Sequence, residues 1–402
     1  MVLEAKYHSQ AVEEKNIKVS IVIPCLNEEK TIAETVKNAL EGLALANIKG
    51  EVIIVDSSTD NSPKIASELG ARVISVPKRG LGRAYIDAIS HINGEYVIMG
   101  DADCTYDFKE VNKFVSKLDE GYDFVMGTRM KGVIGKGAMP PLHRYFGTPL
   151  TTWILNMLLG TKFSDIHCGL RALTIDALKK IDIQSESWEY ASEMIVKAGL
   201  LKLKTAEVPI HFYKDKEGRK SHHKRAGWFS PWLAGWINLK VMLLYAPNQM
   251  ILKPGFVFLL LGLFLIFMQI QGPVTIANVT FSTGTMILGL AFSVMGLSSI
   301  HMGILVESFS DLQRYYQRIS IKRFYKHFTY TKGMILGAIS FLVGLVLSSS
   351  FVYNWWLNSF QLKIMPWYVI FGLLLIIAGI QTVLFNLAYH AFSLKRDKKN
   401  DN

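Results

Sequence analysis

The chain has 402 residues, 50% of them hydrophobic, and a formal net charge of +11. This length suffices for one sizeable soluble domain plus a second region. From residue 253 onward there are 12 Lys and Arg against 4 Asp and Glu, so this apolar part holds 8 of the 11 net charges. Basicity placed there indicates membrane topology and argues against a nucleic-acid partner. The three scattered cysteines exclude a disulfide framework and a CxxC zinc site.

Strand and helix patterns alternate through the first part of the chain. Apolar, β-branched runs predict strands at Val19–Ile23, Glu51–Val55, Arg72–Val76, Tyr96–Met99 and Asp123–Met126. Helical patterns follow at 27–45, where Asn27 is the expected N-cap, after the turn Ser57–Pro63, and at 80–92, 143–159 and 189–199. This order predicts an open α/β domain with a parallel sheet. Ligands of such sheets bind outside the carboxyl ends of the strands.

Two carboxylates, Asp101 and Asp103, follow the strand Tyr96–Met99. Side chains two residues apart in an extended segment point the same way. The pair can therefore hold a hard cation such as Mg²⁺ or Mn²⁺ together with phosphate oxygens. A strand-end turn that happens to carry two Asp is the alternative, since Asp favours turns.

Other polar residues fall at the same predicted edge of the sheet. Pro24, Asn27 and Glu28 follow the first strand, and Asp56 ends the second. These positions are expected to converge with Asp101 on one crevice. The loop Arg79-Gly80-Leu81-Gly82-Arg83 suits a phosphate cradle, and a solvated loop is the alternative.

The motifs IVIPCLNEE, VDSSTDNS, KRGLGRAY and DADCTY, in this order and spacing, resemble family 2 glycosyltransferases with the GT-A fold, a Rossmann-like nucleotide-sugar-binding domain. More narrowly they resemble polyprenyl-phosphate glycosyltransferases, which include the dolichol-phosphate mannose and glucose synthases. The resemblance covers roughly residues 19–247. It departs from the family at Ser57, where relatives often carry Asp, and at Thr105, where many mannose synthases carry Gln.

The resemblance implies roles for the residues that match. The nucleotide is expected to bind Pro24, Asn27, Glu28 and Asp56, and the diphosphate to lie near Arg79, Gly80 and Arg83. Asp101 is expected near the sugar nucleotide and Asp103 on the metal, with both treated as metal ligands. Arg129, in the GTRM segment after the fifth strand, is assigned to the donor side.

The segment FSDIHCGLRA, residues 163–172, resembles the family's acceptor motif through Asp165, Gly169 and Arg171. A guanidinium suits a phosphate, so Arg171 is predicted to contact the acceptor, with Asp165 orienting it or meeting the donor sugar. Glu193 is favoured over Glu189 as an acidic residue near the sugar. Further acceptor-phosphate contacts are predicted in the basic stretch 211–228, at Arg219, Lys220 and His222, and binding of anionic lipid alone is the alternative.

The Gly- and Lys-rich segment Lys131 to Pro141 has two interpretations that the sequence leaves open. One is a mobile lid that closes over the donor. The other is a disordered surface loop.

Four apolar segments follow, at Leu252–Ile270, Thr283–Val306, Met334–Phe351 and Pro366–Phe392. Each is near the roughly 20 residues that cross a bilayer. The loop 307–333 and the C-terminus are basic, which predicts that both lie in the cytoplasm with the N-terminal domain. The predicted organisation is a catalytic domain at 1–227, interfacial amphipathic helices at 228–251, and four transmembrane helices within 252–402.

The predicted function is metal-dependent transfer of a hexose, with inversion, from a nucleotide sugar to undecaprenyl or dolichyl phosphate at the cytoplasmic face. GDP-mannose and UDP-glucose are the expected donors, and a homo-oligomer is left open. One alternative is a processive polysaccharide synthase, although no QxxRW signature is present at Gln313–Arg318. The other is a catalytically inactive membrane scaffold.

Overall fold

The structure is a computed structural model that describes residues 17–216, 236, 240–241, 244–309, 328–358, 361 and 365–400. The chain forms two compact units, Met1–Tyr245 and Ala246–Asn402. The division falls inside the predicted interfacial segment 228–251, most of which lies outside the described residues. The two units are described separately below.

A seven-stranded sheet forms the centre of the N-terminal unit. Its strands are β1 (Val19–Cys25), β2 (Gly50–Asp56), β3 (Arg72–Ser75), β4 (Tyr96–Met99), β5 (Phe124–Ile134), β6 (Arg171–Thr174) and β7 (Thr205–Phe212). Their order across the sheet is β3-β2-β1-β4-β6-β5-β7. Strands β1 and β4 are almost wholly buried, as their apolar sequences predict.

The described residues of this unit also form seven α-helices. They are α1 (Ile32–Leu45), α2 (Ser62–Glu68), α3 (Leu81–Ala88), α4 (Val111–Asp119), α5 (Thr148–Leu159), α6 (Ile175–Ile181) and α7 (Tyr190–Leu200). Short 3-10 segments lie at Ile89–His91 and Phe108–Glu110, and a π-helical turn at His143–Gly147 leads into α5. The apolar faces of α1 and α4 are buried, which is the pattern of helices that cover a sheet.

The sheet is mixed rather than wholly parallel, so this detail of the prediction is wrong. Strand β6 runs antiparallel to both β4 and β5, and its first residue, Arg171, lies opposite Met99 at the end of β4. The chain therefore enters β6 at the edge of the sheet where β4 ends, and β6 runs from there in the direction opposite to β4. This reversal places residues 163–170 beside the segment that carries Asp101 and Asp103.

The first helix starts later than predicted, and Asn27 is not its N-cap. Helix α1 begins at Ile32, and Asn27 lies in the left-handed region with φ +57°. Asparagine tolerates this region better than most residues. Its side-chain Oδ1 accepts a hydrogen bond from the Thr59 backbone at 2.8 Å. Asn27 thus binds a neighbouring loop across the sheet edge rather than a helix end.

Strand β5 extends into the segment that was interpreted as a lid or surface loop. Val133 and Ile134 pair with His211 and Phe212 of β7. A Cβ built on Gly132 would lie 2.0 Å from the Ile210 carbonyl oxygen, so only glycine permits this approach. Both interpretations are therefore wrong for residues 131–134.

In the second unit the described residues form four long helices. They are α8 (Lys253–Phe267), α9 (Thr283–Phe309), α10 (Tyr330–Leu357) and α11 (Trp367–Asn400), with a π-helical turn at Asn248–Leu252 before α8. A short hairpin of β8 (Val274–Ile276) and β9 (Val279–Phe281) joins α8 to α9. By length and composition all four helices can cross a membrane, with mean hydropathies of 1.7 to 2.4. The four predicted spans are confirmed as such helices.

Glycines seven residues apart line the contacts between paired helices. Gly255 and Gly262 of α8 face Gly289 and Gly296 of α9, and a Cβ on Gly262 would lie 2.4 Å from the Gly289 carbonyl oxygen. Similar contacts join α10 and α11 through Gly337, Gly344, Gly372 and Gly379. The hydrophobic effect does not drive helix association within lipid, so close backbone packing at small residues stabilises such helix pairs.

Replacing Gly344 by Leu is expected to destabilise the α10–α11 hairpin by about 1–3 kcal/mol through overpacking. A Cβ there would lie 2.5 Å from the Gly372 carbonyl oxygen. Unfolding in mixed micelles measures the effect. Gly284→Leu is the matched control, since a Cβ at Gly284 meets nothing within 4 Å. Equal stability of the two variants would contradict the packing argument.

Candidate active site

The loops after β1 and β2 are joined by hydrogen bonds at the carboxyl edge of the sheet. Cys25 is paired with Asp56, and the Ser57 backbone donates to the Cys25 carbonyl at 3.0 Å. The Asn27 backbone donates to Ser58 Oγ at 2.8 Å. Pro24 lies beyond the last β1–β4 pair, Val22 with Met99, where a missing N–H costs no bond to β4. These hydrogen bonds join the two loops into one surface at the carboxyl edge of the sheet, which we term the β1–β2 wall.

Asp60 ties this wall together further. Its Oδ2 accepts from the Glu29 backbone at 3.2 Å, and its Oδ1 accepts from the Ser62 backbone at 3.0 Å. Burial alone would raise the pKa of Asp60, but these hydrogen bonds outweigh it and hold the pKa below its usual value. Ser62 Oγ in turn accepts from the Glu28 backbone at 3.0 Å. Asp60 thus stabilises the conformation of the two loops by hydrogen bonding to both of them.

Asp56 carries a buried oxygen that no donor among the described residues reaches. The residue is 3% exposed, and its Oδ2 accepts from the Ser58 backbone at 3.2 Å. Its Oδ1 has no hydrogen-bond partner among the described residues. A buried carboxylate oxygen is costly unless a donor reaches it. This position is therefore suited to an N–H or O–H group of a ligand.

The carboxylate pair follows β4 directly. Gly100 donates to the Val22 carbonyl at 3.4 Å, which keeps the strand end against β1. Asp103 Oδ1 accepts from both the backbone and the hydroxyl of Thr105, at 3.0 and 2.5 Å. Cys104, between the two Asp, has φ +59°. The turn therefore fixes the direction of Asp103 through its own sequence neighbours.

Tyr106 and Gly169 flank Asp101. The Gly169 backbone donates to the Tyr106 hydroxyl at 2.8 Å. Burial raises the pKa of Tyr106 well above its usual value, so the hydroxyl stays protonated. A Cβ on Gly169 would lie 2.7 Å from Asp101 Oδ2 and 3.0 Å from the Tyr106 ring. Glycine at this position lets the acceptor-motif segment approach Asp101.

Substituting Gly169 by Ala is expected to displace Asp101 and to reduce any activity of this site by about 10²-fold, the size of effect that a misplacement near 1 Å can have. Far-ultraviolet circular dichroism checks that the fold is retained. Gly147→Ala serves as the control, because its Cβ would meet only ordinary contact at 3.6 Å. Equal rates for both variants would show that Asp101 need not lie where it does.

Arg129 and Asp165 form a buried bidentate ion pair. Arg129 Nε donates to Asp165 Oδ2 at 2.7 Å and Nη2 donates to Oδ1 at 2.9 Å. Burial would raise the pKa of Asp165, but the Arg129 guanidinium outweighs it and the pKa is lowered. Asp165 is fully buried and Arg129 is 8% exposed. The structure thus joins Arg129, which was predicted to bind the donor, to Asp165, which was predicted to orient Arg171 or to meet the donor sugar.

Glu207, which the sequence analysis did not single out, holds the same segment from β7. Its Oε1 accepts from the Ser164 backbone at 2.5 Å, and its Oε2 accepts from Ser164 Oγ and Lys131 Nζ, each at 2.8 Å. An acidic residue in the exit strand has no local signature. Only the pairing of β7 with β5 brings it to residues 163–165.

His167 is a structural residue in this arrangement. Its Nε2 lies 2.8 Å from Thr151 Oγ1 of α5. Burial lowers the pKa of His167 to about 4, although the nearby Asp165 carboxylate acts in the opposite direction. Thr151 Oγ1 also donates to the Gly147 carbonyl at 2.7 Å, and its contact with the neutral His167 ring connects α5 to the acceptor-motif segment.

The free energy of unfolding is expected to fall as the pH drops from 6.5 toward 4. The folded pKa of His167 lies below its ordinary value, so the stability from the neutral ring is complete above pH 6.5 and is lost on acidification. The shift corresponds to about 3 kcal/mol. Denaturant titrations of His167→Gln should show a shallower pH slope than the parent. Exposed His91→Gln should keep the parent's slope.

Arg171 is fully buried, in contrast to the open phosphate contact predicted for it. Its Nη2 donates to the Cys168 carbonyl at 2.7 Å and its Nη1 to the Ala191 carbonyl at 3.1 Å. Its guanidinium also lies 5.7 Å from the Tyr190 ring centre. In this conformation Arg171 joins β6 to α7 rather than facing a ligand, because its donors are directed at backbone carbonyls.

Glu193 is also fully buried and serves a loop. Its carboxylate oxygens accept from the Gln184 and Ser185 backbones at 2.9 and 2.7 Å, and Lys197 pairs with it. Lys197 Nζ further donates to the Asp182 carbonyl at 2.6 Å. This pair holds residues 182–185 in place, whereas a contact with the sugar was predicted.

The turn Arg79–Arg83 packs against the backbone of residues 185–187. Cβ atoms on Gly80 and Gly82 would lie 2.3 and 2.1 Å from the carbonyl oxygens of Glu186 and Ser185. The glycines therefore allow close packing, in addition to any phosphate contact. Arg79 Nη2 and Arg83 Nε both bind Asp87, at 2.8 and 2.9 Å. The two guanidiniums are gathered at one place, 42% and 31% exposed.

Three predicted acceptor-phosphate residues, Arg219, Lys220 and His222, lie outside the described residues. Within the described part of the chain, no cluster of three or more His, Cys, Asp or Glu side chains is placed to hold a metal ion. Asp101 and Asp103 together are a set of two oxygen-donor side chains. Carboxylates suit Mg²⁺ and Mn²⁺, which commonly complete their coordination with water and substrate phosphates.

Comparison with known proteins bears on this geometry. The profile of Glycosyl transferase family 2 matches residues 20–182. The low-salt glycan biosynthesis hexosyltransferase Agl6 of Haloferax volcanii is 36% identical over 347 residues, which cover 85% of this chain and 81% of Agl6. This chain belongs to glycosyltransferase family 2. The resemblance drawn from its motifs is confirmed.

The membrane part of the glycosyltransferase is matched as well. The profile of the Glycosyltransferase family 2 C-terminal transmembrane region covers residues 304–393. Together with the four apolar helices, this makes the chain a membrane protein. The predicted fold class, a GT-A domain followed by transmembrane helices, is confirmed.

The names of two further relatives include a lipid phosphate. A dolichyl-phosphate hexose transferase of Haloferax volcanii is 31% identical over 217 residues, 52% of the glycosyltransferase chain and 88% of the relative. An undecaprenyl-phosphate 4-deoxy-4-formamido-L-arabinose transferase of Enterobacter sp. is 25% identical over 319 residues, 75% and 93% of the two chains.

Proposed function

We propose that this glycosyltransferase moves a hexose from a nucleotide sugar to a polyprenyl phosphate, undecaprenyl or dolichyl, with inversion and at the cytoplasmic face of the membrane. The names of the two lipid-phosphate relatives and of Agl6 support the reaction class. The observation that carries the proposal is the convergence of Asp56, Asp101 and Asp103 on one edge of the sheet, in a chain with four membrane-spanning helices.

The β1–β2 wall is proposed to take the nucleoside. Asp56 Oδ1 is a buried acceptor without a partner among the described residues, so a base N–H or a ribose hydroxyl would satisfy it. Asn27 and Glu28 shape the wall through Ser58 and Ser62. UDP-glucose and GDP-mannose both carry such hydrogen-bond donors, so this contact does not distinguish the two nucleotide sugars.

Asp101 and Asp103 are proposed to hold Mg²⁺ or Mn²⁺ next to the diphosphate. Such an ion supplies neutralisation of the charge that develops on the leaving nucleoside diphosphate. Thr105 orients the Asp103 carboxylate for this role. Arg79 and Arg83, brought together by Asp87, are proposed to add positive charge on the same side.

The acceptor phosphate is itself the nucleophile. Its second pKa is near 6, so its oxygen is largely anionic at neutral pH and needs no strong general base. The oxygen forms a bond to the anomeric carbon while the bond from that carbon to the nucleoside diphosphate breaks, and in-line displacement inverts the carbon. The enzyme's contribution is then positioning and charge neutralisation.

The distribution of charge supports the proposed cytoplasmic orientation. Loop 307–333 carries Arg314, Arg318, Lys322, Arg323, Lys326 and Lys332, and the C-terminus carries four more cations. With four proposed spans, both segments would lie on the same side of the membrane as the N-terminal unit, and the positive-inside rule favours the cytoplasm for that side. Accessibility of an introduced cysteine in each segment to an impermeant reagent, applied to intact cells, tests this orientation.

The reaction is tested with the full chain in lipid discs, polyprenyl phosphate, Mn²⁺, and either UDP-glucose or GDP-mannose. Formation of one lipid-linked hexose of inverted configuration is the expected result. A growing polysaccharide would indicate the processive synthase instead. Nucleotide binding without transfer from any of a panel of sugar donors would overturn the proposal and favour the inactive scaffold.

A further inference from the structure

The end of strand β7 lies against the turn that follows β4. Phe212 forms an antiparallel bridge with Tyr106 on one side and pairs with Ile134 of β5 on the other. The next residue, Tyr213, donates its backbone N–H to the Thr105 carbonyl at 2.9 Å. Two consecutive residues thus connect the turn after β4 to the extended part of β5.

The hydrogen bond from Tyr213 fixes the residue that orients Asp103. Thr105 is buried, and both its backbone N–H and its hydroxyl donate to Asp103 Oδ1. Its carbonyl accepts the N–H of Tyr213. Thr105 is therefore held from outside the turn as well as from within it, so the direction of the Asp103 carboxylate depends on the backbone of residue 213.

The Phe212 ring contacts both halves of the candidate site. Its centre lies 5.4 Å from the centre of the Tyr106 ring, whose hydroxyl accepts from the Gly169 backbone beside Asp101. The Arg129 guanidinium lies 5.0 Å from the centre of the same Phe212 ring. Aromatic rings attract one another at this separation, and a ring face attracts a guanidinium. One half-buried ring thus restrains Tyr106 on the carboxylate side and Arg129 on the side of the acceptor motif.

Two further hydrogen bonds restrain the same stretch of chain. The His211 backbone donates to Glu110 Oε2 at 2.9 Å, and the Gly135 backbone donates to the Phe212 carbonyl at 2.9 Å. Residues 211–213 are thus bound by the segment after β4 on one side and by the segment after β5 on the other. Side chains on a backbone fixed in this way can hold neighbouring groups in a defined direction.

We propose that Phe212 and Tyr213 are positioning residues for the metal-dependent transfer, which hold Tyr106 and Thr105 in place and through them Asp101 and Asp103. The inference rests on the proposed function, because it concerns the carboxylates that are proposed to hold Mg²⁺ or Mn²⁺. Removing a group that orients a metal ligand typically costs about 10–100-fold in metal affinity. Phe212→Leu removes the ring and Tyr213→Pro removes the N–H, so each is expected to raise the apparent Kd for Mn²⁺ about tenfold.

The test measures Mn²⁺ binding and needs no sugar transfer. Electron paramagnetic resonance measures free Mn²⁺ in titrations of the full chain in phosphatidylcholine discs, with and without UDP or GDP, and empty discs give the background. Asp103→Asn is the reference for a lost ligand. Tyr213→Phe is one control, since it keeps the N–H. Tyr122→Leu is the other, since it removes a half-buried ring with a cation 5.9 Å from its centre, before β5 at the opposite edge of the sheet.

Weaker Mn²⁺ binding in Asp103→Asn, Phe212→Leu and Tyr213→Pro, with binding like the parent's in both controls, is the expected result. Hydrogen exchange of peptides covering residues 100–108 should become faster in Phe212→Leu and Tyr213→Pro, while β1 and β2 keep the parent's protection. Weaker binding in Asp103→Asn alone would overturn the inference and leave the proposed function intact. Unchanged binding in Asp103→Asn would overturn both. Faster exchange throughout β1 and β2 would also overturn the inference, because Mn²⁺ binding would then be lost through unfolding.

Discussion

Asp103→Asn is expected to reduce sugar transfer by about 10²–10³-fold or more, the range found when one group that stabilises developing charge is removed. The substitution keeps the oxygen that accepts from Thr105, so the turn after β4 should hold its shape. It removes one negative charge from the pair with Asp101, which weakens the affinity for a divalent ion. Rates are measured across a Mn²⁺ titration.

The exposed Asp176→Asn on α6 loses the same charge away from the site and should transfer sugar at the parent's rate. If extra Mn²⁺ restores part of the activity of Asp103→Asn, the defect lies in ion binding. A parent-like rate for Asp103→Asn at low Mn²⁺ would remove the carboxylate pair from the proposed mechanism.

Asp165→Ala is expected to destabilise the N-terminal unit by about 3–5 kcal/mol, because it leaves the Arg129 guanidinium buried without its partner. Hydrogen exchange of β5 and β6 peptides in the full chain measures the loss, since both strands flank the pair. Two other donors, the backbones of Arg129 and His167, also lose their acceptor.

Arg129→Met combined with Asp165→Leu should recover much of the stability, because an apolar pair leaves no buried charge. A double variant as unstable as Asp165→Ala would indicate that backbone bonds dominate. The stabilisation by this pair should persist above the ordinary carboxyl pKa of 3.8 and fade as the pH falls below it, since the folded pKa of Asp165 is lowered.

Much of the fold could be read from local patterns. The strand Tyr96–Met99 was predicted with its observed bounds, because its apolar run is short and ends at glycine. The four membrane helices were predicted because twenty or more apolar residues have few other stable conformations. The extension of β5 to Ile134 was missed, since its pairing partner β7 lies some 80 residues away.

Some features of the site could likewise be predicted from the sequence, and others could not. The order of the motifs indicated Asp56, Asp101 and Asp103 and the sheet edge where they meet, because parallel strands end at a common edge. It could not indicate which charges are buried. Arg171 and Glu193 carry residue types that bind phosphate or act on sugars, yet their burial directs them to backbone groups.

The sequence by itself determined the family, the α/β and membrane halves, and the acidic residues at the strand ends, since these follow from local pattern and motif order. Only the tertiary structure decided that β6 runs antiparallel and that Arg129 pairs with Asp165. It also decided that Glu207 holds the acceptor-motif segment and that β7 ends against the turn after β4. Each of these features depends on contacts between residues far apart in the chain, and a local sequence pattern does not predict such contacts.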